Sequence, residues 1–249
     1  MEKDLISIII PVYNAEKFIT ETIQTIQEQT YTNWEAIFVD DKSTDNSKKI
    51  IKQNLQKNMK LIELSENYGP AIARNKGLEV SKGRYITYLD ADDLLAKNKL
   101  EVQHKFMREN NYAFSYTSYK QIKKNGKIGK QVKVQEKLDY KEALKRIRIL
   151  TNTTMFDVEK IGKELLMMPN LEKTEDVATW WKVLKKGNIA YGLNEPLAFY
   201  RRSHNTRSSN KFKSMIKRWK LYREVEQFSF IKSLYYFLNY IINAILRRI

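Results

Sequence analysis

LISIIIPVYNAEKFITETIQTIQEQTYTNWEAIFVDD, residues 5–41, reads as a strand, a helix and a second strand. The runs Ile6–Ile10 and Glu35–Val39 are short and rich in β-branched and aromatic residues, which is typical of buried strands. Between them, Ala15–Glu28 places apolar side chains three and four positions apart, which predicts an amphipathic helix. The segment therefore predicts a β-α-β unit with parallel strands.

The same alternation continues to about residue 95. Further helices and strands are predicted at Asn46–Asn54, Met59–Leu64, Ala71–Val80 and Tyr85–Leu89. Beyond them the pattern is mixed: Lys99–Glu109 is helical, Tyr112–Lys120 resembles a strand, and Asn125 with Gly126 predicts a hairpin turn. We predict an α/β fold, a mixed sheet flanked by helices, in three parts: residues 1–95, 96–210 and a basic helical extension, 211–249.

Acidic residues follow two of the predicted strands at the point where each strand ends. Asp40 and Asp41 end one strand, and the LDADD motif places Asp90, Asp92 and Asp93 after another. Ligands of open α/β sheets bind beyond the carboxyl ends of the strands. Since clustered carboxylates repel one another, we expect a divalent cation carrying phosphate oxygens among them.

Composition limits the classes of protein that the chain can belong to. Its 249 residues and 42% hydrophobic content allow a sizeable core, and the absence of cysteine excludes a disulfide framework and thiol catalysis. The first residues show no signal-peptide pattern, so we expect a cytoplasmic protein. The net charge is +16, of which residues 201–249 contribute +10 through 12 Lys and Arg against 2 Glu. This concentration of positive charge in the last 49 residues indicates one surface that faces a polyanion.

The C-terminal extension alternates basic and apolar residues but is too short to span a bilayer. We predict a peripheral membrane contact, which would place the protein at the inner face of the cytoplasmic membrane. In this interpretation the apolar and aromatic side chains enter the interface and basic side chains meet anionic head groups. The apolar and aromatic side chains are Tyr235, Tyr236, Phe237, Tyr240, Ile241 and Ile245. The basic side chains are Lys232, Arg247 and Arg248. The alternative is a helix that covers the core or joins two subunits.

Four segments together resemble the family-2 glycosyltransferases, which are inverting enzymes with the GT-A fold. They are residues 7–47 (SIIIPVYNAEKFITETIQTIQEQTYTNWEAIFVDDKSTDNS), 67–78 (NYGPAIARNKGL), 83–93 (GRYITYLDADD) and 173–182 (KTEDVATWWK). The resemblance is dense over the first 95 residues and thinner afterwards. It implies that residues 1–95 form a nucleotide-sugar-binding half and residues 96–210 an acceptor-binding half of one domain.

The resemblance implies that four residues contact the donor nucleotide. Pro11 and Tyr13 would seat the base, Asp41 would accept a hydrogen bond from a base N–H, and Arg74 would border the base and ribose. Each has a simpler alternative, since Pro11 and Tyr13 fit a turn, Asp41 fits a turn or helix cap, and Arg74 fits a solvated surface position.

Asp90 and Asp92 match the family's D-x-D signature. The resemblance implies that Asp90 meets the ribose or the metal shell and that Asp92 ligates Mn²⁺ or Mg²⁺ on the donor diphosphate. Asp93 has an alternative role as a cap of the following helix.

Glu175 and Asp176 match the family's acidic pair, and we predict Asp176 as the base that deprotonates the acceptor hydroxyl. The alternative for Asp176 is a first-turn acid stabilised by the helix dipole. Trp180 or Trp181 would stack on a sugar or pack in the core. His204 lies in a basic loop, and its role is left open.

The predicted function is transfer of a sugar, with UDP as the expected nucleotide, to a saccharide or lipid-linked acceptor in bacterial surface glycan synthesis. We expect no nucleic-acid partner. Two alternatives remain open: a nucleotidyltransferase, and a non-catalytic module that binds a polyanion. The first usually needs a Gly-rich basic loop after the first strand, which is missing here, and the second does not explain the acids at the strand ends.

Overall fold

The computed structural model describes residues 1–123, 125–146, 149–171, 174–201 and 211–246. The strands in these ranges are β1 (Glu2–Val12), β2 (Trp34–Asp40), β3 (Met59–Glu63), β4 (Gly83–Tyr88), β5 (Leu94–Leu95), β6 (Phe114–Ile122), β7 (Ile128–Val132), β8 (Lys137–Leu138), β9 (Thr154–Asp157) and β10 (Ala190–Arg201). The α-helices are α1 (Ile19–Gln27), α2 (Ser47–Asn54), α3 (Pro70–Val80), α4 (Lys99–Glu109), α5 (Tyr140–Lys145), α6 (Val158–Ile161), α7 (Glu175–Lys185), α8 (Lys211–Lys220) and α9 (Phe230–Leu246).

The strands form one mixed sheet in the order β3-β2-β1-β4-β9-β6-β10-β5, with β7 beside β6 and β8 beside β10. β1 to β4 are parallel, whereas β9 is antiparallel to both of its neighbours. The predicted α/β fold with a mixed sheet and flanking helices is therefore confirmed. The predicted hairpin is also present, because β6 and β7 pair antiparallel around Gly126, which has φ of +76°.

β1 is buried on both faces from Leu5 to Ile10, which explains why Ser7 is the one polar residue in this stretch. Ile8 and Ile10 pack in a cluster with α1, whereas Ile9 packs in a second cluster with α3 and α7. α3 can lie close to β1 because Gly77 has no side chain. A Cβ at this position would come within 2.5 Å of Cγ2 of Ile9. This close approach positions α3 and its Arg74 beside the ends of the parallel strands.

The helix α1 begins at Ile19, four residues later than the predicted start at Ala15. The amides of Ala15 and Glu16 are instead engaged by side chains that follow β2: Ser47 Oγ accepts from the first at 2.7 Å and Asp45 from the second at 2.9 Å. The loops after β1 and β2 are thus joined by hydrogen bonds.

The C-terminal segment packs on the second cluster through α8, a π-helical turn at Leu221–Val225 and one face of α9. In α9 the rings of Tyr236 and Phe237 contact Tyr222 and Trp219, and Tyr240 lies under the Arg218 guanidinium. The prediction that these three aromatic residues enter a membrane is therefore wrong, because they cover the core. No helix in the described part of the chain is long and apolar enough to cross a membrane.

Candidate active site

The site is built at one edge of the sheet, where β1, β2 and β4 end side by side. Val12 pairs with Asp40 across β1 and β2, and Ile9 pairs with Tyr88 across β1 and β4. This register brings Pro11 and Tyr13, Asp41, and the Asp90–Asp93 turn to the same edge, as parallel strands require.

Asp41 is buried and holds the loop that leads into α3. Its backbone N–H donates to Val12 O at 2.8 Å, and its two carboxylate oxygens accept from the amides of Tyr68 (2.7 Å) and Gly69 (2.8 Å). Tyr13 is 46% exposed beside it, so its ring is available to a base. The structure thus gives Asp41 a supporting role, and its contact with a nucleotide base stays a prediction.

Asp92 and Asp93 are carboxylates with perturbed acidity. Burial and then the neighbouring charge of Asp90 raise the pKa of Asp92 to about 6. Burial and then the charges of Asp92 and Asp90 hold the pKa of Asp93 well above its usual range. A carboxylate kept near other carboxylates in a partly buried site favours a bound cation.

Asp93 anchors the turn rather than capping a helix. One carboxylate oxygen accepts from Asn152 Nδ2 at 2.7 Å and the other from the backbone N–H of Arg201 at 2.8 Å. The predicted helix cap is wrong, because the N-cap position of α4 is Asn98. Arg201 Nε also donates to Asp92 O at 2.9 Å, so the end of β10 fixes the D-x-D turn from the other side.

Arg74 is buried between the two acidic groups of the site. Its guanidinium lies 2.6 Å from Asp90 Oδ1 and 3.2 Å from Glu175 Oε1. Burial lowers the pKa of Arg74, but Asp90 and Glu175 raise it by more. The alternative of a solvated arginine is therefore wrong. Arg74 links the turn after β4 to the start of α7, and its contact with the nucleotide stays a prediction.

Glu175, for which the sequence predicted no separate role, is a buried partner of Arg74. Burial and then the charge of Asp176 raise the pKa of Glu175, and its Oε2 has no hydrogen-bond partner among the described residues. Asp176, 5% exposed, follows it in the first turn of α7, and Thr151 Oγ1 donates to its carboxylate at 3.4 Å. Both the base and the helix-dipole interpretation of Asp176 fit this position.

A short 3₁₀ turn, Thr151–Thr153, connects Asp176 with Asp93. Thr151 contacts Asp176, while the next residue, Asn152, contacts Asp93. Asn152 is buried, and its Oδ1 has no partner among the described residues. Sequence reasoning missed this turn and the contacts of Arg201 with the D-x-D turn, because neither carries a local pattern.

The structure tests the predicted sugar contact of the two tryptophans. Trp180 and Trp181 are both 2% exposed: the first stacks on Phe156 and the second on Tyr222. They pack in the core and present no face to a sugar. His204 lies outside the described residues.

The residues at the D-x-D turn fit a divalent cation that is also bound by a diphosphate. No group of three or more His, Cys, Asp or Glu that could hold a metal occurs among the residues that the structure describes. Asp92, raised in pKa beside Asp90, supplies hard oxygen donors, and phosphate oxygens and water complete such shells. The donor set therefore suits Mn²⁺ or Mg²⁺ bound together with a nucleotide.

A family model described as "Glycosyl transferase family 2" matches residues 7–161, more than half of the chain. The chain belongs to this family. The match includes the ends of β1 and β2 and the Asp90–Asp93 turn. Membership of family 2 supports the transferase over the two rival classes that the sequence left open.

Relatives of known description cover nearly the whole chain. A "Putative teichuronic acid biosynthesis glycosyltransferase TuaG" of Bacillus subtilis is 42% identical over 99% of this chain and 98% of that protein. A "UDP-Glc:alpha-D-GlcNAc-diphosphoundecaprenol beta-1,3-glucosyltransferase WfgD" of Escherichia coli is 36% identical over 98% and 95%. This family-2 chain is thus a glycosyltransferase by descent.

Among solved structures, S. aureus TarS 1-349 in complex with UDP-GlcNAc superposes with a TM-score of 0.71 at 22% identity. The superposition covers 88% of this chain and 66% of that one, so this chain spans slightly less than two thirds of the TarS chain. A mannosyltransferase from Pyrobaculum calidifontis in complex with GDP-Man and Mn²⁺ gives a TM-score of 0.60 at 21% identity, covering 86% of this chain and 61% of that one. These likenesses support the fold.

Proposed function

We propose that this protein transfers a hexosyl or N-acetylhexosaminyl group from a UDP-sugar to a saccharide or lipid-linked saccharide, with inversion at the anomeric carbon. The observation that carries the proposal is the convergence of two acidic pairs, Asp90 with Asp92 and Glu175 with Asp176, on one buried guanidinium at the carboxyl edge of the sheet. The UDP-glucose donor and lipid-linked acceptor in the name of the Escherichia coli relative support this class of substrates.

The donor half would hold the nucleotide. Tyr13 offers an exposed ring to the base, and Asp41 fixes the loop before α3 at the same edge of the sheet. A divalent cation held by Asp92, with Asp90 beside it, would neutralise the charge that develops on the leaving diphosphate. Arg74 keeps the D-x-D turn and α7 at a fixed separation, which positions donor and acceptor for in-line attack.

The transfer step has a simple balance of atoms. The acceptor hydroxyl oxygen forms a bond to the anomeric carbon as the bond from that carbon to the diphosphate oxygen breaks. The acceptor proton passes to the carboxylate of Asp176, and the electron pair of the broken bond leaves with the diphosphate. Attack from the face opposite the leaving group inverts the anomeric configuration.

We further propose that the enzyme contributes to a bacterial surface glycan and works in the cytoplasm at the inner face of the cytoplasmic membrane. The names of the relatives, which include teichuronic acid biosynthesis and a diphosphoundecaprenol acceptor, support this setting. An acceptor anchored in lipid requires that the catalytic face approach a bilayer.

The test is a screen of nucleotide sugars with Mn²⁺ or Mg²⁺, in which binding is measured by calorimetry and UDP release by a coupled assay. We expect metal-dependent release from one UDP-sugar, its loss in Asp92→Ala, and unchanged release in Glu109→Ala, an exposed acid remote from the site. Asp176→Asn should keep donor binding while transfer falls by about 10²–10⁴-fold, as removal of a general base predicts. A folded wild-type protein that binds no nucleotide sugar would refute the proposal.

A further inference from the structure

α9 carries a second apolar face that nothing in the described residues covers. The residues on this outward face are Ile231 (80% exposed), Leu234 (39%), Tyr235 (52%), Leu238 (49%), Ile242 (55%) and Ile245 (55%). At about 100° per residue they fall within an arc of about 100° on the helix surface. None of them is charged. A stripe of six exposed apolar residues on one helix face marks an interaction site.

The opposite face of α9 is committed to the protein, which fixes the orientation of the stripe. Ser233 is fully buried, Phe237 packs 5.4 Å from the Trp219 ring, and Asn243 Nδ2 donates to Lys145 O at 3.1 Å. α9 therefore cannot rotate to bury the outward face without losing these contacts.

The C-terminal segment that contains this face has a predominantly positive composition. Residues 211–249 contain nine Lys and Arg and two Glu. One of the two, Glu226, is 9% exposed and paired with Lys185 at 2.8 Å, so it contributes little negative potential outside. Lys232 is exposed on α9 itself, and Lys145 interacts electrostatically with Tyr235 at the same edge of the stripe. An apolar stripe with a basic border is complementary to anionic lipid.

We propose that the outward face of α9 docks the protein on an anionic bilayer surface, with the helix axis parallel to the membrane. Seventeen residues give α9 a length of about 25 Å, over which the stripe enters the boundary between head groups and acyl chains. A second copy is a poorer occupant, because two segments with a net charge of +7 each would face one another. The inference deepens the proposed function, on which its biological setting rests.

The docking face differs from the one that the amino-acid pattern favoured. Tyr235 and Ile245 belong to both faces. The other predicted residues, Tyr236, Phe237, Tyr240 and Ile241, are partly buried, and Ile231, Leu234, Leu238 and Ile242 take their place. This difference makes the proposal specific to single side chains.

The experiment uses the full chain and sedimentation with vesicles of equal parts phosphatidylglycerol and phosphatidylcholine. Leu238→Glu with Ile242→Glu should weaken binding by about tenfold or more, because two apolar side chains leave the interface. The matched control is Leu55→Glu with Val80→Glu, which changes two apolar residues of the donor half, each 39% exposed, and alters the net charge equally. We expect the control to change binding less than about twofold, since it leaves the docking face intact.

Each other outcome overturns the proposal. Equal loss in both double variants would show that net charge alone binds the lipid, and no preference of the wild type for anionic over pure phosphatidylcholine vesicles would exclude an anionic surface. A wild-type dimer by light scattering that Leu238→Glu with Ile242→Glu separates, without vesicle binding, would assign the face to a second copy. Far-UV circular dichroism verifies folding, and Leu238→Ser with Ile242→Ser replaces the glutamates if they unfold the helix. UDP-sugar binding without lipid tests the proposed function separately.

Discussion

Replacing Arg74 by Met should destabilise the protein by an amount that depends on pH. The change removes the guanidinium that lies 2.6 Å from Asp90 and 3.2 Å from Glu175. The Asp90 side chain is 36% exposed, so water compensates for much of its lost interaction, and we assign it no energetic cost. Glu175 has an 8% exposed side chain, and its charge is left buried without a counter-ion.

The magnitude follows from the proton that Glu175 would take up. Burial and Asp176 already raise the pKa of Glu175, and loss of the guanidinium raises it further. Keeping this carboxyl protonated costs about 1.36 kcal/mol for each pH unit above an unfolded pKa of about 4.3. The upper limit on the destabilisation is therefore about 3.7 kcal/mol at pH 7 and about 1.6 kcal/mol at pH 5.5. Since the folded pKa is raised, the variant loses stability as the pH rises.

The assay is urea denaturation followed by circular dichroism at both pH values. Lys76→Met is the control on the same helix, because its pair with Glu79 is about half exposed and its loss should cost about 0.5 kcal/mol or less. Adding Glu175→Gln to Arg74→Met should restore most of the stability at pH 7, since the uncompensated charge of Glu175 is removed. A cost for Arg74→Met that matches the control, or one that does not shrink at pH 5.5, would show that Arg74 does not compensate a buried charge on Glu175.

Two further predictions concern buried ionisable groups. Because the pKa of Asp92 is raised to about 6, Mn²⁺-dependent binding of the donor should strengthen as the pH rises from 5 to 7, and calorimetry showing no such change would contradict the role of Asp92. Lys99 is fully buried, and burial lowers its pKa to about 7, so its contribution should make the folded state gain about 1.3 kcal/mol per pH unit between about pH 8 and 9.5. Lys99→Met should remove this slope in denaturation experiments, and an unchanged slope would assign it to another group.

Residues 1–95 were accessible to sequence reasoning because their signals are local. Short apolar runs such as Ile6–Ile10 encode buried strands, and the spacing of Asp90 and Asp92 places two carboxylates at one strand end. The start of α1 was wrong by four residues, because the amides of Ala15 and Glu16 bond side chains about 30 positions away in sequence. Competition of this kind leaves no trace in helical periodicity.

The β-α-β order, the acidic strand ends and the amphipathic character of the C-terminal helix could be predicted from the amino-acid sequence, since each depends on neighbouring residues. The folded structure was needed to show that Arg74 pairs with Glu175, 101 positions later, and that Arg201 supports Asp93 across 108 positions. It also decided which apolar face of α9 covers the core and which remains exposed. The physical reason is that periodicity specifies which side chains leave water but not which partners they meet, because the partners are brought together only when the whole sheet is assembled.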